Sequence, residues 1–207
     1  MGKTVVLIGT LDTKGPEIGY LRDKVRSEGA GIGLEVLVLD SGILGQPNGI
    51  TADITRETVA AAAGTTLDAI RNAGSRGAAV HKMTDGVRNV VLDLYQQGRC
   101  HGVASIGGVE GTAMACAAME ALPVGVPKFA ATPLASGPRK FSIFVDTKDI
   151  AIMHSVIDIL GVNALSCRIY DNVAGAIVGM VKAAGNRPLA GDHLVGGSTH
   201  PFGDRRE

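Results

Sequence analysis

Two short, uninterrupted apolar runs flank a helical stretch near the start of the chain, and this arrangement restricts the fold more than any other feature. Val5-Val6-Leu7-Ile8 is apolar at every position, so a strand built from it needs cover on both faces. After a turn over 9–15, Ile18, Leu21 and Val25 recur at helical spacing; Pro16 suits a first helical turn and Ser27-Glu28-Gly29 supplies a stop. Residues 34–39 then repeat the strand pattern and end at Asp40. Two strands covered on both faces and joined by a helix make a parallel βαβ unit with a right-handed crossover. The fold class that follows is α/β, with a mostly parallel sheet and helices on both of its faces.

The rest of the chain extends this pattern. Residues 41–53 are rich in Gly, Pro and Asn and too long for a routine connection, so a lid or an oligomer contact is expected there. Leu67, Ile70 and Ala73 mark one helical face and Val87, Val90, Val91 and Leu94 another, with a break over 74–77. A strand over 102–106, a turn over 107–111 and an alanine-rich helix over 112–122 come next, then a strand over 128–132 and a Pro/Gly loop over 133–138. A short strand over 143–145 and helices over 150–160 and 173–181 complete the expected domain at 1–186. Residues 187–207 lack periodicity and read as a tail or the start of a truncated second domain.

Composition excludes more than it identifies. The 20 basic and 20 acidic residues balance, so there is no basic field for nucleic acid and no polybasic patch for a membrane. A charged ligand must be held by local groups. No apolar run approaches the roughly 20 residues of a membrane span. Cys100, Cys116 and Cys167 form no CxxC pair and read as buried small hydrophobes in a reducing compartment, which points to the cytoplasm.

Ligands of open parallel sheets bind beyond the carboxyl ends of the strands, so the loops there hold the candidate site. Gly9, Thr10, Asp12, Thr13, Lys14 and Gly15 place hydroxyls, a carboxylate and an ammonium before a helix N-terminus, where free N–H groups and the helix dipole favour an anion such as phosphate. Ordinary capping by Asp12 or Thr13 is the alternative. The order GxxxxGK[ST] is absent, and so is GxGxxG. Gly107, Gly108, Gly111 and Thr112 form a second turn whose backbone can approach a phosphate closely, or simply turn tightly. Asp40 stands where a ribose-binding acid sits in dinucleotide folds, though a cap or turn role is equally open. Ser136 and Gly137 offer further donors. Asp146, Thr147 and Asp149 offer oxygen ligands suited to Mg²⁺, with an N-cap as the other role for Asp149. His154 is a core histidine or a base in the crevice, and Cys100-His101 lacks the second ligand pair a zinc site needs.

Four blocks in sequence order, VLIGTLDTKGPEIGYLRD, LDSGILGQPNGITADIT, GVASIGGVEGTAMACAAMEALPVGVPK and ATPLASGPRKFSIFVDTKDIAIMHSVIDILGVNALS, resemble the Tm-one-like ATP-binding domain family. The resemblance runs from about Thr4 to about Ala184. It implies a Rossmann-like three-layer domain that binds ATP with Mg²⁺, usually as a homodimer, with a second α/β domain following or supplied in trans. Residues 189–207 depart from the family's pattern for that second domain. The expected function is therefore a nucleotide-binding module, with a Mg²⁺-dependent ATP-using enzyme or an oligomeric interaction domain as alternatives. No nucleophile or acid–base pair identifies a reaction.

Overall fold

The computed structural model describes residues 2–135 and 148–185. Among these residues five strands form one all-parallel sheet: β1 (Thr4–Gly9), β2 (Glu35–Asp40), β3 (Gly102–Ile106), β4 (Lys128–Thr132) and β5 (Ala151–His154), in the spatial order β2-β1-β3-β4-β5. Among the described residues six α-helices accompany them: α1 (Leu11–Gly29), α2 (Arg56–Ala62), α3 (Leu67–Arg71), α4 (Arg76–Gln96), α5 (Val109–Ala121) and α6 (Ala164–Ala184).

The doubly apolar strands have the consequence expected of them. Along β1, Val5 and Leu7 point into a core shared with α1 and α6, while Val6 and Ile8 point into the opposite core, shared with α2 to α5. Successive side chains of a strand alternate faces, so one six-residue segment feeds two cores. All six residues of β1 are buried. The three-layer α/β expectation holds, and every described strand pair is parallel.

Several expected boundaries move. The helix expected over 150–160 is instead the edge strand β5, which pairs with β4 from Phe129↔Ala151 to Thr132↔His154. Ile150, Met153, Ile157 and Leu160 mimic a helical stripe. In place, Ile150 and Ile152 face one core and Met153 the other, an alternation with period two. The chain leaves β5 through a turn centred on Val156 (φ 65°), closed by the Ile157 N–H on the Ser155 carbonyl at 2.7 Å. α5 begins three residues before the expected start because Gly108 acts as its N-cap. α2 is an additional helix, and the last helix extends to both sides of 173–181. The expected strand over 143–145 lies outside the described residues.

α1 starts at Leu11 and breaks at Lys14 (φ −130°, ψ 20°), two residues before Pro16, so the turn expected over 9–15 is largely a first helical turn with a kink. The 41–53 connection is tied down along its length. Asn48 N–H donates to Leu11 O at 3.0 Å, Gly45 N–H to Asp12 Oδ2 at 3.0 Å, and Asp53 Oδ2 accepts Val38 N–H at 2.8 Å. Buried Arg56 bonds the Gly45 carbonyl and reaches Gln46 Oε1 at 2.9 Å. A loop held by this many backbone bonds is a wall of the domain, not a free lid.

Candidate functional site

The strand order changes direction between β1 and β3: the chain leaves β1 toward β2 and later returns on its other side. Ligands of doubly wound sheets occupy the crevice at such a switch point. Here a cleft of about 1150 Å³ opens at the carboxyl ends of β1, β2 and β3. It is bounded by the start of α1, the loop after β2, the α3–α4 junction and the start of α5.

Among the described residues, three helix N-termini meet this cleft. Thr10 caps α1 without a side-chain cap bond; its Oγ1 lies 2.7 Å from Thr13 Oγ1. At α4, Ser75 Oγ accepts Ala78 N–H at 3.1 Å. α5 is the open one: glycine at the N-cap brings no side-chain acceptor, and the first-turn N–H groups of Val109, Glu110 and Gly111 have no partner within the helix. A Cβ placed on Gly108 would meet no atom within 4 Å, so the approach to this turn is clear.

Lys14, Arg71 and Arg76 also line the cleft. Lys14 Nζ donates to the Ile159 carbonyl, and Arg71 Nε donates to Ile43 O at 2.7 Å. Exposed Arg76, first residue of α4, pairs with Glu110 on α5, with Nη2 2.9 Å from Oε2. Among the described residues the carboxylates on the wall are Asp12, held by Gly45 N–H, and Glu110, held by Arg76. Dipoles and cations together favour an anionic ligand at the α5 end.

Of the expected residues, Thr10, Asp12, Thr13, Lys14, Gly108 and Gly111 come together on the cleft wall. Gly9, Gly15, Asp40, Gly107 and Thr112 do not line it. Gly9 leaves room for Ile18, whose side chain would lie 2.5 Å from an added Cβ. Gly15 lets the 41–53 connection cross α1: a Cβ there would sit 1.6 Å from Asn48 O. Thr112 Oγ1 is buried, 3.1 Å from Gly107 O and 2.9 Å from Thr132 Oγ1, fixing the turn from behind. Ser136, Gly137, Asp146 and Thr147 lie outside the described residues.

Asp40 is 1% exposed and braces the site from within. Its Oδ1 accepts Leu11 N–H at 3.0 Å and Gly42 N–H at 2.8 Å, and its Oδ2 lies 3.9 Å from Arg56 Nε. Burial raises its pKa, opposed by those two N–H groups and by the Arg56 charge. It joins the start of α1 to the end of β2.

Asp149 neither caps a helix nor reaches the cleft. It accepts a bond from Lys128 Nζ at 2.7 Å and from Gly125 N–H at 2.7 Å, at the opposite edge of the sheet. His154 lies on β5, where its Nδ1 accepts Val156 N–H at 3.2 Å. His101 Nδ1 accepts Thr4 N–H at 3.0 Å. Burial pushes the Cys100 and Cys116 thiols up to about 12, which makes both inert, as small buried hydrophobes should be. Among the described residues no three His, Cys, Asp or Glu side chains gather into a metal cluster, and no helix is long and apolar enough to cross a membrane.

Residues the sequence reading missed include Ser41, Arg71, Asn72, Ser75 and Arg76. Ser75 had a local signal, an N-cap serine beside the Gly74 break; the arginines had none. Ser41 is fully buried, and its Oγ has no hydrogen-bond partner among the described residues.

The model of an uncharacterised protein family, UPF0261, N-terminal domain, matches residues 3–186. The UPF0261 protein of Clostridium tetani is 37% identical over 204 residues, covering 96% of this chain and 49% of its own length. The UPF0261 protein RA0729 of Rhizobium meliloti is 37% identical over 186 residues, covering 90% and 43%. The ToMV susceptible protein tm-1 of Solanum lycopersicum is 28% identical over 187 residues, covering 86% and 24%. The chain spans about half or less of the length of these curated relatives.

Proposed function

The chain belongs to the uncharacterised protein family UPF0261, and from that premise we propose that the switch-point cleft is a nucleotide site whose ligand is ATP with Mg²⁺. The observation that carries this reading is the uncapped first turn of α5 opening on the same cleft as Lys14, Arg71 and Arg76. The phosphates lie against the N–H groups of α5 and the start of α1, where the dipoles add to the cations. A cleft of about 1150 Å³ also has room for a sugar and a base beside Ile43, Leu44 and Val80.

The residues present fit the group. Among the described residues buried Ser41 Oγ has no partner, and Gly108 keeps the α5 turn clear of side chains. Mg²⁺, when bound, would offset phosphate charge, and Asp12 on the cleft wall would supply a carboxylate to hold it. The resemblance to an ATP-binding family points to the same ligand. Titration calorimetry of the purified chain with ATP, ADP, AMP and NAD, with and without Mg²⁺, tests the proposal. Micromolar, Mg²⁺-dependent binding of ATP is expected; failure to bind any of the four refutes it.

A further inference from the structure

In doubly wound sheets the end of the second strand is where a carboxylate meets a ribose hydroxyl. Here that carboxylate is occupied: both oxygens of Asp40 are engaged by Leu11, Gly42 and Arg56, and the side chain is buried. The following residue differs. Ser41 is 0% exposed and lies on the cleft wall, and its backbone N–H donates to Gly9 O at 2.9 Å. Among the described residues its hydroxyl has no hydrogen-bond partner. Buried hydroxyls without partners are rare in folded proteins, and each calls for a group that completes it.

The spacing restricts what that group belongs to. Ser41 follows β2 and the open turn of α5 follows β3, with β1 between them. Two strand spacings put these points about 10 Å apart. A free phosphate held at α5 does not reach Ser41, whereas a nucleoside polyphosphate covers that distance with its sugar and phosphate chain. Resting on the nucleotide reading above, we infer that Ser41 Oγ hydrogen-bonds a ribose hydroxyl, so that the cleft selects a ribonucleoside polyphosphate over its deoxy forms.

The test titrates the full chain and its Ser41→Ala variant with ATP, 2′-deoxy-ATP, 3′-deoxy-ATP and inorganic triphosphate. The wild-type chain should bind ATP at least tenfold more tightly than one of the deoxy forms. In Ser41→Ala that preference should disappear, with triphosphate binding unchanged and the melting temperature retained. Equal binding of ATP and both deoxy forms by the wild-type chain overturns the inference and leaves the nucleotide reading standing; this arm needs no variant. A preference that survives in Ser41→Ala overturns it too, as does an equal loss for all four ligands. If the wild-type chain binds neither ATP nor triphosphate, the nucleotide reading falls and takes the inference with it.

Discussion

Gly108→Asp separates a phosphate-binding turn from a merely tight one, because its expected effects on folding and on binding have opposite signs. Gly108 caps α5 at φ −72° and ψ −162°, a backbone conformation open to any residue, and a Cβ there meets nothing within 4 Å. Aspartate is a better N-cap than glycine by a few tenths of a kcal/mol, so the variant should fold with an unchanged or slightly higher melting temperature. Its carboxylate, however, sits over the N–H groups assigned to phosphate. Two unit charges about 4 Å apart repel by about 4 kcal/mol at an effective dielectric of 20, and screening at the open mouth reduces this to about 3 kcal/mol. ATP affinity should therefore fall roughly 100-fold. Gly108→Asn keeps the shape and removes the charge, so its loss should be only a few-fold. Calorimetry on all three proteins decides the matter. Unchanged affinity in Gly108→Asp would refute the placement of phosphate at α5, and equal losses in Asp and Asn would show crowding in place of charge.

Two further predictions concern the frame. Gly15→Ala should destabilise the chain by more than about 2 kcal/mol in denaturant titration, since its Cβ meets the Asn48 backbone and the 41–53 connection must move. Gly19→Ala on the same helix meets only Ile50 and Gly49 atoms at 3.8–3.9 Å and should be neutral or stabilising by up to about 1 kcal/mol. His101 gives the pH dependence. Burial, aided by the Lys3 charge, holds its pKa below the ordinary value, and its Nδ1 must stay unprotonated to accept Thr4 N–H. The unfolded chain therefore binds the extra proton first, and stability should fall as pH drops below about 6.5 toward the native value, then level off in this contribution. Partial exposure keeps the slope well under the limit of about 1.4 kcal/mol per pH unit, and His101→Gln should flatten it in melts taken across that range.

The sheet was legible because its signal is local. Val5 to Ile8, Leu34 to Leu39, Gly102 to Ile106 and Lys128 to Thr132 are short apolar runs bounded by glycine, proline or acid, and each became a strand. β5 was not legible, because four residues carry too little pattern to outweigh an accidental helical stripe. What made them a strand was the free edge of β4, supplied from more than twenty residues away. The cleft divides in the same way. Thr10, Asp12, Thr13, Lys14, Gly108 and Gly111 follow strand ends, so strand assignment alone located them.

The sequence alone determined that this chain builds a parallel α/β sheet and that its polar turns gather at one edge, because periodicity and glycine placement act over a few residues. Only the tertiary structure decided which polar groups are engaged. Asp40 is engaged by Leu11, Gly42 and Arg56 and Asp149 by Lys128, while Ser41 has no partner among the described residues and Arg71 and Arg76 arrive from an unrelated stretch of chain. Whether a side chain can meet a ligand depends on which distant neighbours reach it first, and that is set by packing.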